Sequence, residues 1–388
     1  MNRTQLKTSF FPNGTINGAG AVIAVMLLLM AGCAPSLRPA GAPMATISFM
    51  AGDQAISRDT PPTTPSFFRT IDGTLLAMQR WLPVLQATTP GALAGASTAA
   101  GTAQQPPDTP DAVILGLHGF GDYANGFAEA GEQLARLGVA VYAYDQRGFG
   151  RSPTRGFWPG PNSLVQDASD ALTILHSLYP GTPVYLTGVS MGAAVAIITA
   201  ASRPQLLDGV ILVSPAVWDR ADMPWYQTMP LAVLSHSLPW LPVSGRGLEI
   251  WPSDNIEMLR RLSRDSHMLS SVRVDMVAGV ADLMDMARLR AGDLHVPVLV
   301  MSGRNDQVIP PAVMASFVGD LPAMANKGRR DKGSATICVY QHGYHMLLRD
   351  LNGPKVIDDL ADWVFTGYLE NADCHQKGLL FDRKAVIR

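Results

Sequence analysis

The sequence predicts an α/β fold: a mostly parallel central sheet with helices on both faces and a helical cap inserted between its later strands. Two observations predict it. From Ala112 onward, apolar runs of strand length alternate with stretches of helical period. Those runs are continuous in Val, Ile and Leu, as strands buried on both faces of a parallel sheet read. The composition agrees. With 388 residues, 47% hydrophobic and 16% charged, the chain can bury a large core and is not disordered throughout. The formal net charge is -2, with no basic run or basic face, which argues against nucleic acid as a partner.

The order along the chain is as follows. Residues 1–32 read as a secretory signal: Arg3 and Lys7 precede the apolar run Ala21 to Met30, which is too short to span a bilayer comfortably. The run closes on Met30-Ala31-Gly32-Cys33, which resembles a bacterial lipobox with Met30 where Leu is usual. The expectation is an exported lipoprotein of the cell envelope, anchored in the membrane by lipid on Cys33. Ala34, rather than Asp, follows Cys33, which in a diderm bacterium points to the outer membrane. An ordinary cleaved signal with Cys33 nearby by chance is the alternative. Residues 33–65, rich in Pro, Ala, Ser and Thr, read as a tether.

Residues 66–216 form the first part of the core. Phe67 to Leu82 predicts a strand hairpin around Asp72-Gly73. Residues 86–110, full of breakers and poor in large apolar groups, predict a disordered insertion. Strands follow at Ala112 to Leu117, Val139 to Tyr144, Val184 to Thr187 and Val210 to Val213. Helices are expected near Asn125 to Leu137, at Leu164 to Leu178 and at Met191 to Ser202. The alternation breaks over residues 217–295, where Trp218, Trp225, Met229, Leu234, Trp240, Leu241 and Trp251 lie among Pro and Gly. This stretch reads as the cap, helical from Asn255 onward. Its aromatics fit either an apolar substrate pocket or the cap's own core. Residues 296–370 complete the core, with strands at Val298 to Met301 and Ala335 to Tyr340. Helices are expected near Pro311 to Leu321 and at Lys355 to Leu369, and 371–388 is a tail. Cys338 and Cys374 could pair in an oxidising compartment, and neither lies in a metal-ligand spacing.

Gly188-Val189-Ser190-Met191-Gly192 sits between a strand and a helix, the context of a nucleophile elbow. By itself the pattern is weak, and the strand–helix context raises it. The partners follow in the order Ser, Asp, His. Asp306 lies just past Val298 to Met301, where loops build sites in open α/β sheets. Two histidines, His342 and His345, follow the last strand; His345 is favoured because it lies further into the loop, before Met346-Leu347-Leu348. The oxyanion hole is expected from the N–H of Met191 and from Phe120 in Leu117-His118-Gly119-Phe120-Gly121-Asp122. His118 reads as structural and Asp122 as a helix cap. Asp145-Gln146-Arg147-Gly148-Phe149-Gly150-Arg151-Ser152 lacks the Lys of a phosphate loop; it reads as a turn with a buried Asp145–Arg147 contact.

Together LHGFGDY, DQRGFGRS, GVSMG, GRNDQVIP and GYHMLLRD resemble the monoacylglycerol lipase and lysophospholipase branch of the α/β-hydrolases, over about Phe67 to Leu369. The resemblance implies the α/β-hydrolase fold, with Ser190 as nucleophile, Asp306 as acid and His345 as base. It implies Phe120 and Met191 as oxyanion donors and a cap over a lipid-accepting pocket, with no metal or cofactor. The expected reaction is hydrolysis of a carboxylic ester with an apolar acyl chain: a monoacylglycerol, a lysophospholipid or a short-chain ester. A thioesterase, an aminopeptidase or a cofactor-free haloperoxidase could use the same triad, and a non-catalytic lipid-binding lipoprotein could keep the fold.

Overall fold

In the computed structural model the described residues are 46–51, 54–56, 65–83, 109–245, 249–321, 335–367 and 369, all within the compact unit Ala45–Arg388. The signal, Cys33, the bulk of the 86–110 insertion and the C-terminal tail lie outside them.

Ten strands form one sheet: β1 (Ser48–Ala51), β2 (Gln54–Ala55), β3 (Ser66–Arg69), β4 (Leu75–Trp81), β5 (Ala112–Leu117), β6 (Val139–Tyr144), β7 (Val184–Val189), β8 (Gly209–Val213), β11 (Val298–Gly303) and β12 (Ala335–Tyr340). Two-residue strands β9 (Pro242–Val243) and β10 (Val272–Arg273) make a separate ladder in the cap. The spatial order of the large sheet is β12-β11-β8-β7-β5-β6-β4-β3-β1-β2. From β6 to β12 every pairing is parallel; β4, β3, β1 and β2 extend the edge antiparallel.

The helices are α1 (Ala128–Arg136), α2 (Pro161–Leu178), α3 (Met191–Ser202), α4 (Trp225–Ser237), α5 (Ile256–Leu262), α6 (Val274–Arg290), α7 (Pro311–Asp320) and α8 (Gly353–Thr366). The side-chain period of two divides each inner strand between two cores. Along β5, Val113, Leu115 and Leu117 join the cluster beneath α2, α3 and α6, while Ala112 and Ile114 join the one beneath α1 and α8. Burial on both faces is why these strands read as unbroken apolar runs.

The structure adjusts several expectations. Part of the segment read as a tether is sheet: β1 pairs with both β2 and β3, and Phe49 and Met50 are buried. The last helix stops at Thr366, with Gly367 in the left-handed conformation at its end, short of the expected Leu369. The cap is helical before Asn255 as well, through α4. Most of its tryptophans do not form a cap core: Trp225 is 74% exposed and Trp240 and Trp251 are 54% exposed, while Trp218 packs against the main core. Asp145 does not pair with Arg147. The turn folds Arg151 back onto it, 3.0 Å from Nε to Oδ2, and Arg147 reaches Asp72 and Asp167 instead. Cys338 is disulfide-bonded, and the other half lies outside the described residues.

Candidate active site

The order in which strands are added reverses at β5: β6 lies on one side of it and β7 on the other, all three parallel. Loops leaving the carboxyl ends of neighbouring parallel strands therefore face one crevice there. Four such loops build the site, following β5, β7, β11 and β12.

Ser190 stands between β7 and α3 at φ 53°, ψ -116°, a conformation that L side chains rarely adopt. The turn is tight because the helix starts almost against the strand. A Cβ on Gly188 would lie 2.3 Å from the Gly192 carbonyl oxygen, and one on Gly192 would lie 2.0 Å from the Leu117 carbonyl oxygen. Only glycine fits at either position. The result lifts the Ser190 hydroxyl out of the sheet plane toward the crevice.

His345 Nε2 lies 2.9 Å from Ser190 Oγ, and His345 Nδ1 lies 2.8 Å from Asp306 Oδ2. Asp306 Oδ1 accepts the amides of Val308 (2.8 Å) and Ile309 (2.9 Å), so its loop fixes the carboxylate's orientation. The loops carrying the acid and the imidazole touch backbone to backbone. A Cβ on Gly303 would lie 2.3 Å from Gly343, and the amides of Arg304 and Asn305 donate to the carbonyls of Tyr340 and Gly343. Ser190, Asp306 and His345 are thus brought together. The other candidate histidine, His342, is exposed and outside the crevice.

Phe120 and Met191 sit beside Ser190. Gly119 packs on Ser190, and the Phe120 ring rests edge-on against Phe149 at 5.5 Å. Neither the Phe120 nor the Met191 amide donates to a protein acceptor among the described residues. His118 lies behind this loop. The amide of Gln146 donates to its Nε2 at 2.9 Å, so Nδ1 carries the proton and donates to the Gly119 carbonyl, also at 2.9 Å. Burial pushes the His118 pKa down and keeps the ring neutral. Its role is to hold the loop, as the sequence suggested.

A cavity of about 320 Å³ opens in front of Ser190. Its apolar lining comes mainly from Phe120, Phe127, Val189, Met268, Val308 and Leu348. The cap contributes Met268 and Pro252; the tryptophans of the cap are not part of the wall. One ion pair interrupts the apolar surface. Asp122 does not cap a helix: its carboxylate binds the Arg349 guanidinium, whose Nε donates to the Gly126 carbonyl. That pair was invisible in the sequence, because its members lie 227 positions apart.

The strand order, the strained serine after β7 and the acid and histidine after the last two strands define an α/β-hydrolase built around a serine elbow. Comparison with known proteins agrees. The family model for serine aminopeptidase, S33, matches residues 108–352. Human monoglyceride lipase is 27% identical over 265 residues, covering 66% of this chain and 82% of that protein. Monoacylglycerol lipase of Mycolicibacterium smegmatis is 25% identical over 271 residues, covering 66% and 90%. The crystal structure of Paleococcus ferrophilus monoacylglycerol lipase superposes with a TM-score of 0.56 at 24% identity, over 66% of this chain and 95% of that one. The chain belongs to the serine aminopeptidase S33 family of α/β-hydrolases, in its monoglyceride lipase-like branch.

Proposed function

We propose that this protein is a serine esterase that hydrolyses carboxylic esters of apolar acyl chains, monoacylglycerols foremost, from a lipid-anchored position in the cell envelope. The observation that carries the reading is the unbroken chain of short contacts from Ser190 Oγ through His345 to Asp306, set in the wall of an apolar cavity. The relatives support the substrate class: both curated proteins compared above are named monoglyceride or monoacylglycerol lipases.

In this mechanism Asp306 accepts the Nδ1 proton of His345 in a hydrogen bond, which leaves Nε2 as the base facing Ser190. Ser190 Oγ attacks the ester carbonyl as its proton passes to Nε2. The oxyanion is received by the Phe120 and Met191 amides, at the positive end of α3 in the case of Met191. The imidazolium returns its proton to the departing alcohol. Water, deprotonated by the same Nε2, then attacks the acyl-enzyme and releases the fatty acid. The apolar lining holds the acyl chain.

An aminopeptidase needs a carboxylate to receive the α-ammonium group of its substrate. Among the described residues lining the cavity Asp122 is the single carboxylate, and Arg349 already holds it. This favours a neutral ester. The exposed apolar side chains of the cap support a reading in which the enzyme works at a lipid surface, with the expected anchor on Cys33 as part of that proposal.

Hydrolysis of p-nitrophenyl esters from acetate to palmitate tests the reading. Ser190→Ala is expected to reduce kcat by a factor on the order of 10⁴ to 10⁶, and the chain-length optimum to size the cavity. Turnover that survives in the variant would overturn it.

A further inference from the structure

The cap reaches the triad through three consecutive residues. The Trp251 amide donates to Gln307 Oε1 at 2.9 Å, next to Asp306. The Pro252 carbonyl accepts the Met346 amide at 2.8 Å, the residue after His345. The Ser253 hydroxyl donates to Asp350 Oδ1 at 2.6 Å, and Asp350 Oδ2 accepts the Tyr344 amide at 2.7 Å, the residue before His345. Both amides that flank His345 are therefore held by the dipeptide Pro252-Ser253, one directly and one through Asp350. Ser253 is 1% exposed and Asp350 4% exposed. A hydroxyl-to-carboxylate bond at that depth is short and undiluted by water. Two further contacts fix the same strap: Asn255 Nδ2 donates to the Arg349 carbonyl, and the Leu351 amide donates to Asp254 Oδ1.

We propose that Ser253 and Asp350 are positioning residues through which the cap holds the His345 loop in line with Ser190. The inference rests on the esterase reading above. Neither side chain touches the reacting atoms. Their work is to fix the backbone on both sides of the imidazole, so that Nε2 meets Oγ without a search. The cap face that would meet lipid and the strap that steadies the base belong to one insertion, between β8 and β11. Displacing the cap would change the aim of the base as well as access to the cavity.

The test compares the parent chain with Ser253→Ala, Ser253→Thr, Asp350→Ala and the double variant Ser253→Ala/Asp350→Ala. Ser271→Ala removes an exposed cap hydroxyl outside the strap and serves as control. Two readouts are taken: kcat and KM on a soluble p-nitrophenyl ester, and the rate of Ser190 labelling by a fluorophosphonate. Displacing reacting groups by about 1 Å costs about a hundredfold; loosening a loop is expected to cost less. Ser253→Ala should lower kcat and labelling about tenfold in parallel, with KM within about twofold of the parent. Ser253→Thr, which keeps the hydroxyl, should recover most of the rate. The double variant should match Asp350→Ala, because the two residues act in series. Should Asp350→Ala not fold, the Ser253 pair decides alone. A folded Ser253→Ala variant as fast as the Ser271→Ala control would overturn the proposal while leaving the esterase reading intact. A parent that neither turns over esters nor labels would overturn both.

Discussion

At φ 53° the backbone of Ser190 is strained, and its polar groups are all engaged. Its amide donates to the Val213 carbonyl, and its own carbonyl accepts from Ala193, Ala194 and Ala216. Strain of this kind persists where surrounding structure over-determines it. Asp306 shows the same over-determination, with one oxygen on two amides and the other on His345. This makes Asp306→Asn a sharp test. The Asn oxygen would keep the two amide bonds, and its NH₂ would then face Nδ1. Nδ1 must become the acceptor, the proton moves to Nε2, and the base facing Ser190 is lost. We expect kcat to fall by a factor on the order of 10⁴, measured on a soluble ester, with the thermal midpoint nearly unchanged. Asp306 and His345 were legible in the sequence because each follows a strand that reads unmistakably. The partner of Asp145 was not. Arg147 is nearer in sequence, but Gly148 and Gly150 adopt positive φ and turn the chain so that Arg151 returns to the carboxylate.

Between elements, Arg147 is a cross-link. Its guanidinium binds Asp72 in the β3–β4 turn at 2.7 Å and Asp167 on α2 at 2.6 Å, and also reaches Thr70 and Thr74. The hydrogen bonds from Arg147 hold the Asp72 carboxyl well below the usual carboxylate range, against the opposing effect of burial. The sign follows. A depressed folded-state pKa contributes stability above the unfolded-state pKa of about 4, and that contribution is lost as pH falls toward the folded value. Denaturant titrations of the parent and Asp72→Asn should therefore show a stability gap that narrows steadily below about pH 4. A gap independent of pH would mean that Asp72 contributes through turn geometry alone. Asp72-Gly73 was readable as a turn, but its tie to α2 was not, since a salt bridge leaves no local pattern. The same limit hid β1 and β2. They are four and two residues long, sit at the sheet edge and lie in a stretch whose Pro, Ser and Thr dominate its composition. By contrast β5, β6 and β12 coincide with their apolar runs, because burial on both faces writes itself into every position.

At the scale of the whole molecule, the exposed apolar side chains of the described residues are distributed unevenly. No Asp, Glu, Lys or Arg occurs between Met223 and Gly245, and Trp225, Tyr226, Met229, Val233, Trp240 and Leu241 are all exposed there. Soluble surfaces rarely gather so many large apolar side chains without a use for them. The same insertion covers the cavity through Pro252 and Met268. An ester drawn from a lipid layer would thus meet the cap before it meets Ser190. Trp and Tyr suit such a boundary, since each pairs an apolar ring with one polar atom. Replacing both Trp225 and Trp240 by Ser removes two rings that lie outside the cavity wall. Partial burial of a ring in lipid contributes about 1 kcal/mol or more, so the double variant should bind monoacylglycerol-bearing vesicles about tenfold or more weakly. Hydrolysis of those vesicles should fall with binding, while turnover of soluble p-nitrophenyl acetate stays at the parent's rate, because the triad and the 251–253 strap are untouched. Vesicle sedimentation and the two rate assays, run on one preparation, separate the possibilities. Equal loss on both substrates would place the tryptophans in the service of cap folding, and no loss on either would mean that these two rings take no part in binding lipid.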